Sequence, residues 1–102
     1  MNRLVLSARV VERGTLRYTP AGIPALDLAL KHESEVSEDG HPRKVSLEIR
    51  ALAIGEVTQA VAALALGASG SFGGFVAAAR NGRGLRFHIT EVGPGQTTES
   101  NT

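Results

Sequence analysis

The stretch VSLEIRALAIGEVTQAVAALALGASGSFGGFVAAA, residues 45–79, changes its period twice. Val45, Leu47, Ile49 and Ala51 alternate with Ser46, Glu48, Arg50 and Leu52, the period of a strand. From Glu56 onward, Val57, Ala60, Val61 and Leu64 fall at helical spacing and make one apolar stripe. Glu56 suits the positive end of a helix dipole, and Gly67 can close the other end. The segment ASGSFGGFVAAA then returns to strand, and Gly70, Gly73 and Gly74 mark a bulge or a close backbone approach within it. One helix therefore sits between two strands.

Working outward, Leu4, Leu6, Ala8 and Val10 alternate with Arg3, Val5, Ser7 and Arg9 and predict a first strand. A turn-rich stretch, RGTLRYTPAGIP, separates it from a second strand carrying Leu26, Leu28 and Leu30. Between His32 and Arg43 the polar segment HESEVSEDGHPR reads as a hairpin turning at Asp39-Gly40. On the other side, Arg80 to Gly84 reads as a turn, with Asn81-Gly82 suited to positive φ at both positions. A last strand puts Leu85, Phe87 and Ile89 on one face and Arg86, His88 and Thr90 on the other. Three strands, a helix and two strands are the element order of an all-β OB-fold, a five-stranded Greek-key barrel with one short helix. An open α+β sheet with one packed helix has the same order, and the turns alone do not separate the two. The fold is expected over residues 1–92, with a disordered tail over 93–102.

The 102 residues are one domain's worth of chain, and 42% hydrophobic with 21% charged residues is the balance of a folded one. The absence of cysteine excludes disulfide scaffolds, cysteine-ligated metals and thiol nucleophiles. The stretch AVAALALGA covers about half of what a membrane span needs, so the chain is expected to be soluble and cytoplasmic. His32, His41 and His88 are scattered, with no second ligand at metal spacing. The acids Glu33, Glu35, Glu38 and Asp39 share one exposed loop, where nothing shifts a carboxyl toward acid–base work. SGSFGGF and RNGRG lack the Lys-Ser/Thr that follows a phosphate-cradling loop. Neither an enzyme nor a cofactor is expected.

A net charge of +1 advertises no nucleic-acid partner globally, so any such binding must come from local clustering. Arg80, Arg83 and Arg86 are such a cluster, with no acid between Glu56 and Glu91. Guanidinium groups suit phosphate oxygens because they are planar, permanently charged and able to bind as a fork. A solvated hairpin tip would account for the cluster equally well. In an OB-fold, however, this loop and the loop after the first strand flank the binding groove. The latter holds Arg13 and Arg17, and basic residues in both loops favour binding. Aromatic rings that stack bases are scarce. Phe87 is in phase with the core, Phe72 and Phe75 point to opposite faces, and Tyr18 is either a stacking ring or a cap on the barrel's end.

At NRLVLSARV, LRYTPAGIPALDLAL and the helix followed by GSFGGFV, the chain resembles the primosomal replication protein N family, bacterial replication-restart proteins related to single-stranded DNA-binding protein. The resemblance runs from Met1 to about Val92. Its most specific parts are the opening Asn2 to Ser7 and the turn Pro20 to Pro24. It implies an OB-fold homodimer that binds single-stranded DNA and contacts a restart helicase and other primosome proteins. Arg17, and more loosely Arg80, Arg83 and Arg86, fall on basic positions of that family, and His32 on a matching one. Ser46 stands where tight binders carry a stacking tryptophan, His41 at an aromatic position and Glu33 at a basic one. These departures imply weak to moderate binding.

The reading is a homodimer that supports primosome assembly on single-stranded DNA, with Arg13, Arg17, Tyr18, Arg80, Arg83 and Arg86 as the DNA-contacting set. A protein-interaction adaptor with incidental DNA binding is its rival. A strand-coating paralogue of single-stranded DNA-binding protein fits less well, because the tail carries one acid. Val5 and Val11, apolar on the face opposite the core set of the first strand, point to pairing of two first strands across a two-fold axis.

Overall fold

The computed structural model describes residues 1–94. Its elements are β1 (Leu4–Arg13), β2 (Arg17–Tyr18), β3 (Pro24–Glu38), β4 (His41–Ile54), α1 (Val57–Ala62), β5 (Ser69–Ala78) and β6 (Leu85–Gly93). The strands run in the order β1-β5-β6-β4-β3, and β1 also pairs with β3, which closes the five into a barrel. All of these pairings are antiparallel except β4 with β6. The barrel reading is therefore the correct one, and the open sheet is excluded.

Closure has a local cause in β1. Leu4–Arg9 pair with β5, while Arg9–Arg13 pair with β3 across a register shift between Val10 and Glu12. One strand thus serves two neighbours along its length, as the corner of a small barrel requires. The inward set Val10, Leu26, Leu28, Leu30, Phe72 and Phe87 is fully buried. Truncating a ring such as Phe72 or Phe87 typically costs about 3–5 kcal/mol. Helix α1 plugs one end with Val61, helped by partly buried Val57 and Leu64.

Several local expectations are corrected. The helix stops at Ala62; Ala60 is exposed, and Thr58 is buried in its stead, donating its hydroxyl hydrogen to the Gly55 carbonyl. Leu85 shares the face of Phe87 but lies exposed at the mouth of the last turn. The expected hairpin over 32–43 does turn at Asp39-Gly40, and its arms extend the strands, because β3 and β4 stay paired from Ala25 with Ile54 out to Glu38 with His41. Asp39 and Gly40 both take positive φ (52° and 77°), as a two-residue turn of right-handed twist demands. In the last turn Asn81 does not take positive φ. That loop is longer, with Gly82 N–H donating to the Ala79 carbonyl at 2.8 Å and Ala79 N–H to Gly84 at 3.0 Å. Arg80 and Asn81 thus fill the centre of an ordinary turn, and the left-handed positions fall on Gly82 and Gly84. Strand β6 reaches Gly93, one residue past the expected domain end; the expected tail from 95 onward lies outside the described residues.

Candidate nucleic-acid interface

Two short loops meet over the outer face of β3, β4 and β6. The first begins with β2, whose Arg17 and Tyr18 pair with Ala25 and Pro24. A turn at Pro20 holds it in place, with Gly22 N–H donating to the Thr19 carbonyl at 2.8 Å and Thr19 N–H to Ile23 at 2.8 Å. Proline's fixed φ suits that position of the turn. The second loop is the Ala79–Gly84 turn, stiffened by Arg83 N–H donating to Asn81 Oδ1 at 2.8 Å.

Arg17, Arg80, Arg83 and Arg86 therefore line one hollow, joined by Arg50 from β4, and Asp27 is its only acid among the described residues. An adjoining hollow shares Arg17, Arg80 and Arg86 and adds Tyr18, Leu52, Ile54 and His88. Tyr18 is 65% exposed, so it is free to stack rather than buried as a cap. The two paired arginines differ from the rest. Arg17 Nη2 lies 2.8 Å from Asp27 Oδ2, and Arg50 Nη1 lies 3.0 Å from Glu12 Oε1. Arg80, Arg83 and Arg86 enter no ion pair among the described residues.

Arg13 stands apart from this group. It is half-buried and donates to the Leu64 carbonyl at the end of the helix segment, outside both hollows. Phe87 and Phe72 are core, and Phe75 lies on the outer face, 39% exposed. Glu33 is held by Arg9 at 3.0 Å. That hydrogen bond, and then the charge of Arg9, keep its carboxyl below the usual carboxylate range. His32 sits between Ser7 and Ser34. Its Nδ1 lies 2.6 Å from the Ser7 carbonyl, which can only accept, so that nitrogen donates, and Nε2 lies 2.8 Å from Ser34 Oγ. Its part is structural, tying β1 to β3.

Arg50, Leu52, His88 and Phe75 are members of this face that the sequence did not nominate. Arg50 and Leu52 were legible only as the outward set of their strand. What brings them beside β6 is the parallel pairing of Leu52 with His88, which no local pattern encodes. Among the described residues no cluster of three metal-ligating side chains occurs, and no helix is long and apolar enough to cross a membrane.

Comparison with known proteins agrees with the barrel. Residues 2–91 match the model of a family described as another single-strand binding protein family. The replication restart protein PriB of Bordetella pertussis is 55% identical over 80 residues, covering 78% of this chain and 75% of that one. The structure of PriB from Ralstonia solanacearum superposes with a TM-score of 0.85 at 34% identity, covering 94% of this chain and 99% of that one. A small single-stranded DNA-binding protein from Streptomyces coelicolor shares the fold, with a TM-score of 0.70 at 15% identity over 92% of this chain and 94% of its own. The chain belongs to the replication restart protein PriB family, within the wider group of single-strand binding proteins built on this barrel.

Proposed function

We propose that the chain is a homodimeric accessory protein of the replication-restart primosome that binds single-stranded DNA and helps recruit or stimulate the restart helicase. One observation carries the DNA reading: arginines from two loops far apart in sequence converge on one groove with a single acid in it among the described residues. Phosphates held there would leave the bases over the Tyr18 side of the groove. We infer that this work takes place in the bacterial cytoplasm, at the chromosome.

Asp27 tempers the groove, because a phosphate must compete with its carboxylate for Arg17. Asp27→Asn is expected to tighten binding of oligothymidylate by up to about fivefold at low salt, the scale of an exposed ion pair, with the gain fading as salt rises. Fluorescence anisotropy reads this directly; unchanged affinity would place the strand away from Arg17. The same ion pair favours the adaptor reading, in which the groove binds DNA poorly and a partner protein well. Helicase stimulation that survives neutralisation of Arg80, Arg83 and Arg86 would select the adaptor.

Support for the dimer comes from β1. Over Leu4–Ala8 it pairs with β5 alone among the described residues, leaving its other edge open. Val5 is 60% exposed there. Pairing with a second β1 would satisfy that edge and cover the valine. Two grooves on one particle would also lend avidity to a weak site. Val5→Glu, beside Glu91 in the same shallow hollow, is expected to convert the particle to monomer in sedimentation velocity at micromolar concentration. A monomeric parent under those conditions would refute the dimer.

A further inference from the structure

We propose that the His88 ring is a base-stacking subsite of the groove, taking one unpaired nucleobase, with Phe75 as the ring that backs and orients it. The inference rests on the single-stranded DNA reading and adds the base contact that the arginines do not provide. Phe75 and His88 pair across β5 and β6, and their rings stack with centroids 4.7 Å apart and planes 12° from parallel. On its other side His88 pairs with Leu52, which is itself buried. Phe75 thus orders the imidazole from one face before any ligand arrives, and a base would take the opposite face. A pre-ordered ring loses little rotamer freedom when a base lands on it.

Position and chemistry both favour a base there. His88 lines the hollow that Arg17, Arg80 and Arg86 border, and Tyr18 lines it from the loop side. Arg86 lies two positions before His88 on the same outward face of β6, about 7 Å along the strand. A phosphate on Arg86 therefore brings its own or the next base within reach of the imidazole. An aromatic pair set on the outer face leaves the barrel core intact, since Phe72, Phe87 and Ile89 fill the inner one. Stacking is tolerant of sequence because every base has a π-face.

The test compares oligothymidylate with an abasic oligomer of equal length, using parent, His88→Ala, His88→Phe and Phe75→Ala. His88→Ala is expected to weaken oligothymidylate binding about tenfold, the scale of one lost stack, and to leave the abasic strand unaffected. His88→Phe should restore the parent affinity for bases. Phe75→Ala, a positioning change, should give a smaller loss on the same strand only. Equal loss on both strands, or no loss on either, overturns the stacking subsite while leaving the arginine groove in place. A parent that binds neither strand at low salt overturns the single-strand reading and the subsite together.

Discussion

Neutralising Arg80, Arg83 and Arg86 together is expected to weaken single-strand binding about a hundredfold at 0.1 M salt. The size follows from counterion release. Each phosphate contact on a single strand contributes about 0.7 to the slope of log affinity against log salt. Three contacts therefore remove a slope of about 2, which is two decades of affinity between 1 M and 0.1 M salt. The loss should be similar for every base composition, because guanidiniums on phosphates carry no sequence information. Fold stability should change little: these side chains enter no ion pair among the described residues, and the turn that carries them is held by backbone bonds and Asn81. Fluorescence titrations of parent and triple variant across a salt series measure both quantities. A variant that keeps the parent's slope would remove these residues from the interface.

Gly74→Ala is expected to cost about 3 kcal/mol of stability, or about 12–24 °C in Tm for a domain of this size. At the β5–β6 register shift, the backbones come so close that a Cβ on Gly74 would sit 1.8 Å from the His88 carbonyl oxygen. Backbone cannot swing aside as a side chain can, so β5 and β6 must part or the bulge must move. Gly73→Ala is the internal control. Its Cβ would meet the Glu91 carboxylate at 2.6 Å, the far end of a flexible side chain, and rotation of Glu91 relieves it at the cost of an exposed ion pair with Arg3. Calorimetry should rank the two variants far apart. Equal melting temperatures would mean that the close approach at Gly74 is not a constraint on the fold.

The alternation in residues 45–52 and the helical stripe that follows were enough to order the elements, because both elements bury one face and so carry a period. The arm formed by the outer halves of β3 and β4 buries neither face. Its residues 33–44 are polar or exposed on both sides and carry no strand period, so only the Asp39-Gly40 turn marked them as a hairpin. The two residues of β2 were hidden by the proline and glycines around them. Of the candidate site, the arginines of the last hairpin were legible as charge without nearby acid. Arg13 and Arg17 looked equivalent in one loop, yet one is taken by the Leu64 carbonyl and the other faces the groove. That choice is made by where α1 docks, a tertiary fact. Likewise, His88 read as a surface histidine until the pairing of β6 with β4 and β5 set it between Leu52 and Phe75.

The most direct test of the groove is a map of the protein's nitrogen–proton resonances, arginine Nε–H groups included, during titration with oligothymidylate at low salt. The account predicts that the largest shifts fall on Arg17, Arg80, Arg83, Arg86 and their neighbours at Tyr18 and His88, with the arm around Asp39-Gly40 unmoved. Shifts confined to that arm or to the edge of β1, with the arginine side chains unperturbed, would contradict it.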